Sequence, residues 1–130
     1  MSDRLDRLRA ELRGILQQGI DALPVADQCA DELETWQKPS DLCHDCVDAW
    51  LAENGDGRAV RGWLIDGYGL GRYRFIAHSM IRASNEALLD VTLPRAAYER
   101  RFVEHPTTVG GFFALLCANP PAHELWVDVE

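Results

Sequence analysis

The chain has 130 residues, 47% of them hydrophobic and 26% charged, which suits one folded domain and excludes a disordered chain. Lys plus Arg number 13 against 21 Asp plus Glu, a net charge of −8. That balance counts against nucleic acid or an anionic membrane as partner, because phosphate recognition needs a basic footprint. Arg95, Arg100 and Arg101 form the only local basic group, broken by Glu99 and followed by Glu104. No apolar run approaches the ~20 residues that span a bilayer. The opening Met1-Ser2-Asp3-Arg4-Leu5-Asp6 is charged and periodic, unlike an export signal. The expectation is a cytoplasmic single domain over residues 1–130, helical over 1–55 and mainly antiparallel sheet over 56–130, its four cysteines reduced.

Leu5, Leu8, Leu12, Ile15, Leu16, Ile20 and Leu23 recur every three or four positions, predicting an amphipathic helix ended by Pro24. Val25, Cys29, Leu33 and Trp36 keep a helical period and predict a second helix before Pro39. A third is predicted from Ser40 to Glu53. Ser40 or Asp41 would cap it, Cys43, Cys46, Val47, Trp50 and Leu51 would share a face, and Asn54-Gly55 would stop it.

From Arg58 the period changes to two. Arg58–Ile65 and Arg72–Arg82 read as strands around a glycine-rich hairpin loop or lid, Gly67 to Gly71. Ala83-Ser84-Asn85-Glu86 is turn chemistry, and Leu88–Thr92 a further strand halted by Pro94. Tyr98–Val103 reads as a strand, Val109–Ala118 as a late helix and Leu125–Val129 as an edge strand. Helices first and an antiparallel meander afterwards is the α+β pattern, with N-terminal helices packed on an antiparallel β-sheet.

The chemistry-bearing segment is Ser40-Asp41-Leu42-Cys43-His44-Asp45-Cys46. A thiol in the first turn of a helix sits among backbone N–H groups and the positive end of the dipole, and both favour thiolate. His78 falls inside one strand and Asp90 inside the next. Cys43 as nucleophile, His78 as proton acceptor and Asp90 as the group that fixes the imidazole is a workable catalytic order. On antiparallel neighbours, His78 and Asp90 meet only in a suitable register. A two-residue Ser84-Asn85 loop would put them on opposite faces. A three-residue loop pairing Arg82 with Glu86 would set His78 opposite Asp90, with Asn85 supplying the left-handed residue.

Cys43-His44 with Val47, then Gly62-Trp63, then His78 with Ile81, then Leu88-Leu89-Asp90-Val91-Thr92 resembles an uncharacterised bacterial family. Its pattern is a Cys-His-x-Asn-Val helix, a Gly-Trp strand, and a His strand leading to Leu-x-Asp-x-Thr. The order is similar to the core of transglutaminase-like and papain-like cysteine enzymes. The resemblance implies Cys43 as nucleophile, His78 as base and Asp90 as orienting acid, acting on a small-molecule or peptide acyl substrate without a cofactor. Cys46 stands where the family has Asn, and Asn85-Glu86 where Asp-Gly is common.

Other readings of the same residues stay open. Cys43 could be a packing residue of a non-catalytic binding module, since free cysteine is usually buried. Cys43-x-x-Cys46 is a chelate spacing, but no second pair completes a zinc site and His44 points about 100° away from the cysteine face. No metal is therefore expected. A thiol-redox pair normally follows a strand, whereas a helix is predicted ahead of this one. Trp63 is a candidate wall of a substrate pocket, with Trp36, Trp50 and Trp126 as core or core-edge anchors, and His105 and His123 read as solvated loop residues. Oligomeric state leaves no mark in the sequence.

Overall fold

A computed structural model of the chain describes residues 3–118 and 121–129, so Met1 and Ser2, at the head of the segment read against an export signal, lie outside it. In chain order the elements are α1 (Asp3–Gln18), β1 (Gln28–Cys29), α2 (Cys43–Asn54), β2 (Gly57–Gly69), β3 (Arg72–Ala83), β4 (Leu88–Asp90), β5 (Phe102–Glu104), α3 (Phe112–Leu116) and β6 (Glu124–Asp128). Single 3₁₀ turns lie at Ile20–Ala22, Ala30–Glu32 and Thr107–Val109. The class is mixed α+β with a six-stranded sheet. Among the described residues no helix is long and apolar enough to cross a membrane. The chain forms two compact units, Met1–Pro24 with Gly62–Ala77 and Arg101–Glu130, and Val25–Arg61 with His78–Arg100.

In the first unit, α1 follows from its leucine stripe, with Leu8 and Leu12 fully buried beside Trp63, Phe75, Leu125 and Val127. β5 pairs antiparallel with β2 (Trp63 opposite Val103), and β6 with β3 (Arg74 opposite Trp126). Gly62 lets β5 approach closely, because a Cβ there would land on the Val103 carbonyl oxygen. The expected glycine-rich loop is smaller than its composition suggests. Gly67 to Gly69 continue β2, and only Leu70 (φ 54°) and Gly71 (φ 76°) form the turn. Two successive left-handed residues match the right-handed twist of a hairpin, so no lid is left over. The late helix shortens to α3, because Gly110 at φ 92° breaks helical geometry after Val109. The strand expected over Tyr98–Val103 is displaced to Phe102–Glu104.

The second unit departs more from expectation. No helix spans Val25 to Trp36; that segment holds β1 and a 3₁₀ turn. Its acidic residues serve distant backbone instead: Asp27 Oδ2 accepts the Leu88 N–H at 2.8 Å, and Asp31 Oδ1 accepts the Arg95 N–H at 3.0 Å. β1 runs parallel to β4, Cys29 opposite Asp90, so the sheet is mixed rather than wholly antiparallel. α2 ends as its sequence predicts, at Gly55 in the left-handed conformation (φ 75°). Its inner face buries Cys46 and Val47 against Ile81, Leu89 and Val91, with Trp36 and Trp50 edge to face at 5.2 Å.

Candidate active site

Every residue of the candidate site lies in the second unit. Neither Ser40 nor Asp41 caps α2. The Ser40 hydroxyl accepts the N–H of Leu42 at 3.1 Å, and Asp41 pairs with Lys38 at 2.9 Å. Leu42 holds the N-cap position without a side-chain bond, and Cys43 is the first helical residue. The first-turn N–H groups thus carry no side-chain cap where the thiol sits.

β3 supplies His78 and the end of β4 supplies Asp90. The hairpin between them has a three-residue loop, but one register step from the expected position. Ala83 pairs with Ala87 through an N–H to O bond of 2.8 Å, and Ile81 lies opposite Leu89. The left-handed residue is Glu86 (φ 70°), not Asn85. Asn85 instead turns its side-chain oxygen onto the Ala87 N–H at 3.0 Å, an Asx turn that fixes the loop. The shift changes both strands together, so facing parity is kept. His78 and Asp90 become diagonal neighbours on one face instead of direct opposites.

Both side chains are buried, and His78 Nε2 donates to Asp90 Oδ2 at 3.0 Å. The second carboxylate oxygen, Oδ1, accepts the N–H groups of Thr92 (3.0 Å) and Leu93 (2.9 Å). Burial opposes charge on Asp90, but the bond and charge of His78 and those two N–H groups outweigh it, so its pKa lies below the ordinary carboxyl value. With Nε2 engaged by the carboxylate, Nδ1 is the His78 nitrogen left for Cys43. The thiol lies beside the His78 ring and the backbone N–H of Ser79, near enough for both to favour the thiolate. Burial pushes the Cys43 thiol up; the bond and charge of His78 and the Ser79 N–H bring it below its ordinary value. Burial also disfavours a charged His78, yet bonds to Asp90 and Cys43 raise it to about 9. Asp90 thus favours a charged His78, and a charged His78 in turn favours the Cys43 thiolate.

Cys46, not Cys43, is the packing cysteine: it is fully buried, and its thiol donates to the Ser40 carbonyl at 3.2 Å. The helical spacing sets His44 off the cysteine face, but its ring reaches back, with Nδ1 3.6 Å from Cys43 Sγ and hydrogen-bonded to the Ser79 hydroxyl. Arg61 on β2 donates to the same hydroxyl at 2.9 Å and pairs with Asp48 at 3.8 Å. Burial first, then the charges of Arg61 and His78, hold His44 below its ordinary pKa. Sequence reasoning reads His44 only as part of the resemblance and as a zinc-ligand candidate, and it passes over Ser79 and Arg61 as site residues. A serine amid His78, Met80 and Ile81 is the available signal, since a hydroxyl buried in a strand demands partners.

Trp63 is fully buried in the core of the first unit and offers no surface to a ligand there. Its indole N–H donates to His105 Nδ1 at 3.0 Å, and His105 Nε2 donates to the Gly110 carbonyl at 2.8 Å. His105 is therefore a structural connector and not a solvated loop residue, whereas His123 is exposed. Arg95, at the head of the local basic group, is committed to Glu32 at 2.7 Å and to the carbonyls of Ala26 and Asp27. Among the described residues no group of three or more His, Cys, Asp or Glu is placed to hold a metal ion. No protein-family model, curated protein or solved structure matches the chain.

Proposed function

We propose that the protein is a cysteine-dependent acyl hydrolase or acyltransferase acting on an ester, thioester or amide. The observation that carries this is the buried, hydrogen-bonded His78–Asp90 pair beside a thiol at the start of a helix. The order of nucleophile helix, histidine strand and aspartate strand, similar to that of papain-like and transglutaminase-like enzymes, supports the same reading. In this mechanism the Cys43 thiolate attacks the acyl carbon, the C–S bond forms and the carbonyl π pair moves onto oxygen. The first-turn N–H groups of α2 are the donors available to that oxyanion. Collapse breaks the bond to the leaving group, which takes a proton from the His78 imidazolium. Neutral His78 then removes a proton from water or an acceptor. Attack on the thioester breaks the C–S bond and returns the thiolate with a charged His78. Asp90 stays ionised throughout and fixes Nε2–H.

The test compares Cys43 with the exposed Cys117 and the buried Cys29 in one alkylation experiment followed by mass spectrometry. The expected result is Cys43 modified faster than Cys117 in neutral solution, its rate titrating below the ordinary thiol range, with an activated aryl ester leaving an acyl adduct on Cys43. Cys43 reacting no faster than Cys117, with an ordinary titration and no adduct, would overturn the reading.

A further inference from the structure

Two imidazoles flank Cys43, and they are held by different partners. His78 donates to Asp90; His44 faces the hydroxyl of Ser79. If His44 took the thiol proton, it would compete with His78 for the proton that the leaving group needs. A site with two candidate bases needs something that disables one.

The hydrogen-bond directions around Ser79 supply it. Ser79 is fully buried, and its Oγ meets Arg61 Nη1 and His44 Nδ1. A guanidinium can only donate, so Oγ is the acceptor towards Arg61. Among the described residues His44 Nδ1 is then the one acceptor for the hydroxyl hydrogen. Nδ1 must keep its lone pair, which leaves the His44 proton on Nε2. A proton on Nδ1 would set a second donor against Oγ and strand the hydroxyl hydrogen in a buried place. The charges around His44 are Arg61 and His78, which oppose its protonation, and Asp45 and Asp48, which favour it.

We propose that Arg61 and Ser79 lock His44 as the neutral Nε2–H imidazole, so that the Cys43 proton has a single destination, His78. The purpose of the lock rests on the cysteine-enzyme reading; the lock itself does not. Ser79 and Arg61 are then positioning residues, and Asp48 steadies the guanidinium. His44 contributes at the site as a hydrogen-bond donor through Nε2 and never as a base.

The experiment is ¹⁵N NMR of the full chain labelled in its four histidines, assigned with His44→Gln and His78→Gln variants. The expected spectrum at neutral pH shows His44 protonated on Nε2 alone and His78 protonated on both nitrogens. His44 protonated on Nδ1, or on both nitrogens, overturns the lock. A neutral His78 beside a locked His44 upholds the lock and counts against the proposed function, so the two failures are distinguishable. In Ser79→Ala the pH profile of Cys43 alkylation is expected to gain a second inflection as His44 begins to titrate, while Ser79→Thr restores the single one. A single unchanged inflection in folded Ser79→Ala would also overturn the proposal, and the wild-type spectrum decides should that variant not fold.

Discussion

Replacing Asp90 by Asn tests the site with little change of shape. The amide oxygen can keep the N–H groups of Thr92 and Leu93, now bound at 3.0 and 2.9 Å, so the loop after β4 retains its anchors. The amide nitrogen then faces His78 Nε2 and can only donate. That forces Nε2 to carry a lone pair and moves the imidazole proton to Nδ1, facing Cys43. The ring can no longer accept the thiol proton. The charge effect works the same way. Raising His78 from 6.5 to about 9 is worth about 3 kcal/mol of preference for the imidazolium at about 1.4 kcal/mol per tenfold. The bond to Asp90 is the strongest influence favouring the imidazolium, and without it burial pushes the ring towards neutrality. Alkylation of Cys43 at neutral pH should fall by about 100-fold, the same 3 kcal/mol expressed as a rate, and its midpoint should rise towards that of an ordinary thiol. In a serine enzyme the corresponding tautomer error lowers turnover by about 10⁴. The assay is iodoacetamide modification across pH, with folding checked by circular dichroism. A folded Asp90→Asn protein with unchanged rate and midpoint would refute the account.

The thiol–imidazole pair also predicts a pH signature. A raised His78 contributes stability that is full below about 6.5 and lost as pH climbs through about 9, whereas a lowered Cys43 contributes stability present above 9.0 and lost as pH falls through its lowered value. Between those limits the two slopes oppose each other, because the proton has only moved from sulfur to nitrogen. Urea unfolding of Cys43→Ala should therefore lose stability with rising pH relative to wild type across that window, and parallel curves would contradict the pairing. Gly62→Ala should cost about 3 kcal/mol or more in chemical unfolding, since its Cβ would also sit 2.9 Å from Glu104 Cα; a wild-type midpoint would show that β5 can move aside. Cys46→Ala should lower stability by about 1–2 kcal/mol and leave Cys43 alkylation unchanged, whereas a loss of Cys43 reactivity would point to dithiol redox chemistry.

Hydrophobic period made α1, α2, β2 and β3 legible because each buries a continuous stripe or face. It failed between Val25 and Trp36, where Cys29, Leu33 and Trp36 are at least partly buried yet belong to an irregular segment. What decides that segment is tertiary: Asp27 and Asp31 satisfy backbone N–H groups of Leu88 and Arg95, more than 60 residues away, and helix propensity carries no trace of such partners. In the hairpin, facing parity was readable from the three-residue loop, but the position of the left-handed residue depended on which role Asn85 took. Cys43, His78 and Asp90 stood out as chemically unusual residues among apolar neighbours. His44, Ser79 and Arg61 did not, because their significance lies in hydrogen-bond direction, which no spacing rule contains.

The short parallel bridge between β1 and β4 bears on when the site comes into being. Asp27 grips Leu88 from both sides, its N–H on the Leu88 carbonyl at 2.7 Å and its carboxylate on the Leu88 N–H, across 61 residues of sequence. A parallel pair cannot close as a hairpin, and a contact of such separation is entropically slow to form. The β3–β4 hairpin can zip early, but the strand that carries Asp90 is held on its other side only once this distant segment arrives. Under the proposed function, Cys43 would gain its reactivity only when this bridge closes, and pulsed alkylation during refolding would time that closure against the zipping of the hairpin.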